Sequence, residues 1–257
     1  MTDIYSEIVE IKNKGEDTAL VTIISTTGSA PGRTGAKMLV KADGTTVGTV
    51  GGGGLELQAI QEALKVMEVG KSKRMAYNLQ GDGDSGMICG GEAEIFIEPI
   101  LCLPALYICG GGHIGLALAK IGKLCSFKVI VIDDRPEYAS EERFPEADKT
   151  VVCSYEDVFN TIPVDRATYV VIVTHGHKGD EAALAGALKT PARYIGMIGS
   201  KKKTAGVYDR LVERGFTREE LTRIHSPIGL RIGARTPGEI AVSIMAEMIA
   251  VRREQSG

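Results

Sequence analysis

At 257 residues the chain has room for one large domain or two modest ones, with ample core either way. Apolar residues at 44% and charged residues at 25% are ordinary for a globular protein, and a net charge of −3 without a basic tail excludes an electrostatic case for nucleic-acid binding. No apolar stretch approaches the ~20 residues that a membrane span needs; the opening MTDIYSEIVEIKNKGED is charged and helix-patterned rather than a signal peptide, and the expected location is the cytoplasm.

Taken in chain order, the pattern predicts a short helix over 4–14, then strands over 19–26 and 36–40 separated by the turn-rich segment Gly28 to Gly35. Asp43-Gly44 marks a hairpin turn before a strand at 47–50. Four glycines, Gly51 to Gly54, lead into an amphipathic helix over 55–69, on which Leu57, Ile60, Leu64 and Met67 follow helical spacing. A second glycine-rich loop, 81–86, precedes Met87-Ile-Cys-Gly-Gly91. Residues 92–98 then alternate as a strand with Ala93, Ile95 and Ile97 on one face and glutamates on the other.

From residue 103 onward strands and helices alternate: strands at 105–109, 128–132, 150–153, 169–174 and 193–198, with the clearest helices at 113–124 and 181–189. Such alternation predicts a doubly wound parallel sheet with helices on both faces, a Rossmann-like α/β domain over 103–257 behind a smaller mixed α/β domain over 1–102. Thr217-Arg-Glu-Glu220 fits a capping box, and Thr236-Pro-Gly-Glu239 starts a final helix reaching about Arg253.

Gly110-Gly-Gly112-His-Ile-Gly115 follows an apolar strand, opens a helix, and precedes a second strand ending at Asp133. In that setting Gly110 makes a tight turn, Gly112 admits a pyrophosphate to the backbone, and Gly115 allows close helix–strand packing, while the helix start offers unpaired N–H groups to an anion. Asp133 is placed to take a ribose 2′-hydroxyl and disfavour a 2′-phosphate. The fourth strand of this half ends in Thr174-His-Gly-His177, and in a doubly wound sheet it neighbours the first, so His113, His175 and His177 are expected to converge on the crevice with Asp133. No carboxylate or cysteine spacing supports a metal site.

In the N-terminal half, Gly51, Gly52, Gly53 and Gly54 before a helix form a second anion-cradle candidate with Glu56 in the first turn, and Arg33 and Lys37 flank the earlier glycine turn where they could face the same anion. The alternative is a plain turn in which Glu56 favours the helix dipole. Five cysteines without C-x-x-C spacing argue against a disulfide framework or zinc ribbon; Cys109 and Cys153 end apolar runs and read as inert thiols, whereas Cys89 sits beside glycines in a loop suited to presenting a thiol to a ligand. No Ser-His-Asp order, HExxH, P-loop or nucleophile elbow is present.

These motifs together resemble the xanthine dehydrogenase accessory factors, the XdhC/CoxI family. The resemblance runs through Gly28-Ser-Ala-Pro-Gly-Arg33, Gly35-Ala-Lys-Met-Leu-Val40, Val47-Gly-Thr-Val-Gly-Gly-Gly53 with Glu56, Met87-Ile-Cys-Gly-Gly-Glu92, the Gly110 loop, Ile132-Asp-Asp-Arg-Pro136, Thr174-His175, Tyr194-Ile-Gly-Met-Ile-Gly-Ser200, His225-Ser-Pro-Ile-Gly-Leu230 and Ile232-Gly-Ala-Arg-Thr-Pro237. It implies a homodimeric chaperone that binds molybdenum cofactor, as molybdopterin or a dinucleotide form, and assists its sulfuration and insertion into a xanthine dehydrogenase-type molybdenum hydroxylase, with that client and a cysteine desulfurase as partners. The family commonly carries a cysteine after its third glycine where this chain has Gly54; if that thiol helps hold the cofactor in relatives, this chain relies on Cys89 or binds the cofactor differently. The alternative from the residues alone is an NAD(P)-dependent oxidoreductase with His175 or His177 as proton donor.

Overall fold

The computed structural model describes residues 3–28, 32–78 and 91–254. The chain divides into two compact units, one up to residue 102 and one over residues 103–254.

The first unit is a helix–sheet–helix sandwich. Its elements are α1 (Ile4–Lys14), β1 (Thr18–Thr27), β2 (Lys37–Lys41), β3 (Thr46–Gly48), α2 (Gly53–Val69), β4 (Lys73–Asn78) and β5 (Glu92–Ile100). Every pairing is antiparallel, in the order β3-β2-β1-β5-β4. Because strand side chains alternate, the sheet has two apolar faces. Ala19, Val21, Ile23, Met38, Val40, Ile95 and Ile97 meet α2, while Leu20 and Leu39 meet Ile11 of α1. Asp3 caps α1 by accepting from the Ser6 N–H, and Gly15 at φ 78° ends it.

α2 corrects one expectation. The buried stripe is Leu55, Ala59, Ala63 and Val66, whereas Leu57 and Leu64 are exposed. Two alanines on the inner face let the helix axis lie close to the sheet, a fit that larger side chains would push apart.

The second unit holds β6 (Ala105–Cys109), α3 (His113–Leu124), β7 (Lys128–Asp133), a 3-10 turn at Pro136–Tyr138, β8 (Lys149–Val152), α4 (Val158–Thr161), β9 (Thr168–Ile172), α5 (His177–Leu188), β10 (Tyr194–Met197), α6 (Lys201–Glu213), α7 (Arg218–Leu221), β11 (Ile224–His225) and α8 (Pro237–Glu254). The sheet is parallel throughout, in the order β11-β10-β9-β6-β7-β8. α3 and α8 pack on one face against Leu106, Ile108, Val129, Val131 and Val171, and α5 and α6 on the other against Tyr107, Cys109, Ile130, Ile172 and Met197. The chain runs outward from β6 through β7 to β8, then returns to β9 on the other side of β6, which makes the β6/β9 junction the topological switch point. This is the expected Rossmann-like architecture, with β11 added at the edge.

Among the described residues, no helix is long and apolar enough to cross a membrane.

Candidate functional site

Two helix starts frame the switch point. α3 begins behind Gly112 and α5 behind Gly176, and no side chain caps either one, so first-turn N–H groups stay available beside the ends of two paired strands. The loop glycines act as their spacing suggests. Gly110 has φ 121°, and a Cβ there would overlap the Val173 carbonyl; a Cβ on Gly115 would overlap the Gly110 carbonyl and press on Ile108. Gly112 opens onto free space. Gly111 is equally constrained, since a Cβ there would overlap the Tyr138 carbonyl.

Asp133 is placed differently from the expectation. It is fully buried; its Oδ2 accepts from the Gly111 N–H at 2.8 Å and its Oδ1 from Arg135 Nε at 2.9 Å and the Arg135 N–H at 3.1 Å. Burial pushes its carboxyl upward, but the Arg135 side chain and the Gly111 and Arg135 amides outweigh this and hold it below the usual carboxylate range. It therefore braces the glycine loop from beneath instead of facing a ribose. Arg143 braces the same loop from another side, donating from Nε to the Gly111 carbonyl at 2.9 Å. Arg135 also lies over the Tyr138 ring, 3.6 Å from its centroid.

The next residue, Asp134, is the exposed carboxylate. Its Oδ1 lies 3.9 Å from His175 Nδ1 and 3.7 Å from Arg135 Nε. Asp134 follows β7 and His175 follows β9, so the two side chains approach each other across the end of β6. Asp133, Asp134 and His175 offer oxygen and nitrogen ligand atoms within 4.8 Å of one another, but the Arg135 guanidinium already supplies the positive charge of this cluster. His113 is exposed at the first position of α3, and His177 is the first residue of α5.

In the first turn of α5, Asp180 is fully buried, accepting from the Thr174 N–H at 3.2 Å, the Thr174 hydroxyl at 2.8 Å and Lys203 Nζ. Cys109 is inert: burial, with Asp180 and Asp133 nearby, pushes its thiol up to about 12. Tyr155 is nearly fully buried beside Asp133. Sequence reasoning misses Asp134, Arg135, Arg143, Tyr155 and Lys203. Asp-Asp-Arg is visible as a motif, but nothing in the sequence singles out Tyr155.

In the first unit, Gly51, Gly52 and Gly53 all adopt positive φ, as glycine permits, and turn the chain into α2. The socket so formed is filled from within. Glu56 Oε1 accepts from the Val50 and Gly52 N–H groups, each at 3.0 Å, and from the Thr49 hydroxyl. Burial raises the Glu56 carboxyl, yet these donors, the Thr49 hydroxyl foremost, hold it below its ordinary value. The two glycine turns do adjoin, since a Cβ on Gly32 would overlap the Val50 carbonyl. Arg33 is exposed beside that contact. Lys37, by contrast, shares the α1 face of β2 with Leu39 and donates to the Thr22 hydroxyl at 3.0 Å, on the opposite face from α2, so it does not join the turn. Gly54 faces the Tyr77 hydroxyl, which fills the space where a side chain at 54 would begin. Cys89 lies outside the described residues.

Residues 106–248 match the family model described as the XdhC Rossmann domain, and residues 11–78 match that of the XdhC and CoxI family. The chain belongs to the XdhC/CoxI family. Among curated relatives, an uncharacterized Escherichia coli protein, YqeB, is 32% identical over 99% of this chain and 47% of its own length. A protein of Bacillus subtilis named as a probable xanthine dehydrogenase subunit is 34% identical over 62% of this chain and 46% of its own. The chain thus spans about half the length of these two curated relatives. The Escherichia coli molybdenum cofactor insertion chaperone PaoD is 26% identical over 96% of this chain and 87% of its own. A crystal structure described as a xanthine dehydrogenase from Bacillus halodurans shares the fold, with a TM-score of 0.54 at 24% identity, covering 99% of this chain and 96% of that one.

Proposed function

We propose that this XdhC/CoxI protein is a homodimeric accessory factor that binds molybdenum cofactor as cargo and assists its sulfuration and insertion into a xanthine dehydrogenase-type molybdenum hydroxylase, with that client and a cysteine desulfurase as its partners. The reading draws on family membership and on relatives named as an insertion chaperone and as part of a xanthine dehydrogenase. The observation that carries it is the pair of uncapped helix starts at Gly112 and Gly176 beside adjacent strand ends. Their main-chain amides fit phosphate groups, and the open space above Gly112 fits close approach of a nucleotide, either the tail of a dinucleotide cofactor or a free NAD(P)-type dinucleotide. Cys89 is the residue we assign to the molybdenum end. A carrier of this kind needs tight binding and exclusion of water but no general base of its own.

The protein purified from molybdenum-replete cells is expected to carry a pterin that becomes fluorescent on oxidation, and Cys89→Ser is expected to lower the amount retained several-fold. Finding no pterin in the native protein, with the client enzyme matured equally well in its absence, overturns the reading.

A further inference from the structure

At the strand starts of the parallel sheet, the end away from the glycine loop, hydrogen-bond donors gather that the cofactor reading does not use. Tyr169, the second residue of β9, is 1% exposed, and its hydroxyl has no hydrogen-bond partner. Arg193 is its neighbour across the sheet. The Arg193 main-chain N–H donates to the Thr168 carbonyl at 2.9 Å, and its buried Nε has no partner either. Its Nη2 is taken by the last turn of α8, reaching the Val251 and Arg252 carbonyls at 3.5 and 3.3 Å.

Arg252 closes the group from the other side. Its guanidinium lies 5.0 Å from the centre of the Phe127 ring, which meets the Tyr169 ring edge-on at 5.3 Å, and its Nη1 donates to the Cys125 carbonyl at 3.3 Å. Both guanidiniums act on the phenol: burial pushes the Tyr169 hydroxyl up, and these two positive charges oppose the rise.

The chemistry is one-sided. A guanidinium only donates and keeps its charge, and the phenol beside it has a proton to give. Both arginines are held by main-chain carbonyls, and among the described side chains no carboxylate pairs with either. Buried donors without an acceptor are costly, and a charge among them without a counter-charge is costlier. A water would satisfy a donor but leave the charge unbalanced. Tyr169 Oη and Arg193 Nε lie out of solvent, too enclosed for a phosphate ester, and the long, partly exposed Arg252 side chain is the cover that can swing aside for a compact ion.

We propose that the Tyr169 hydroxyl and Arg193 Nε, with Arg252 as cover, form a binding site for a small monovalent anion of the halide class, which fastens the last turn of α8 to the strand starts. The site stands apart from the cofactor crevice and does not depend on the reading given above.

Crystals of the full chain in sodium bromide test it directly: anomalous density is expected within hydrogen-bonding reach of both Tyr169 Oη and Arg193 Nε. In solution, replacing gluconate by chloride at fixed ionic strength is expected to raise the melting temperature by about 2–4 °C and to saturate. Tyr169→Phe keeps the ring contacts with Phe127 and Tyr194. It is expected to melt no lower than the wild type in gluconate and to lose most of the chloride increment, and Arg193→Gln is expected to lose that increment too. No bromide at this position, or a chloride increment as large in Tyr169→Phe as in the wild type, overturns the site. Neither of those two results needs Arg193→Gln to fold.

Discussion

Asp133 and Glu56 play the same part in different units: each is a carboxylate turned inward to satisfy main-chain amides at a glycine turn. Removing either leaves buried donors without an acceptor, and Asp133→Asn also strips the Arg135 guanidinium of its counter-charge. We expect Asp133→Asn to lower unfolding free energy by about 2–3 kcal/mol in urea titrations, and Glu56→Ala by about 1–2 kcal/mol. Both carboxyls are held below their unfolded values, so their contributions are complete above about pH 4–5, the unfolded range, and fade as pH falls through the folded values. Acid titration of stability should accordingly be shallower in Asp133→Asn than in the wild type. At this scale the sequence is half legible. It marks the acidic strand end but not which of two consecutive aspartates points inward, because alternation at a strand terminus depends on where the loop leaves the plane. Lys37 is misplaced for the same reason: proximity in sequence to a glycine turn says nothing about which face of the sheet a side chain occupies.

At the scale of elements, periodicity locates most of the helices and strands, though α4 and α6 receive no range from it. The ranges 4–14, 105–109 and 113–124 coincide with α1, β6 and α3. The Gly110 loop is the most legible segment, since Gly110 and Gly115 each have a steric duty that their neighbours make plain. Gly115→Ala should then force helix and strand apart and cost about 1–3 kcal/mol, measurable by chemical denaturation. β4 and β11 escape notice because one is a polar edge strand and the other has two residues. The face of α2 is misjudged because leucines outweigh alanines in any hydrophobicity pattern, while the sheet selects by size. Ala63→Leu is accordingly expected to destabilise the first unit by about 1–3 kcal/mol, whereas Leu57→Ser should stay within about 0.5 kcal/mol of wild type, both read from thermal melts.

For the whole molecule, fold class and family are legible because many separate motifs recur in one order, whereas the duty of each site residue is not, because fold and ligand are separate questions. The uncapped starts of α3 and α5 make a direct prediction. A nucleotide present at 100 times its dissociation constant should stabilise the unit that holds them by about 2.7 kcal/mol, and hydrogen exchange should slow over 110–116 and 174–180, the segments that carry the free amides.

The Glu56 socket has a consequence for what the first unit can collect from solution. A tethered carboxylate already rests on the Val50 and Gly52 amides, at a local concentration on the order of millimolar or more. Inorganic phosphate or a phosphorylated metabolite arriving at those two amides competes with an occupant that cannot diffuse away, so the glycine turn keeps its shape without any visitor.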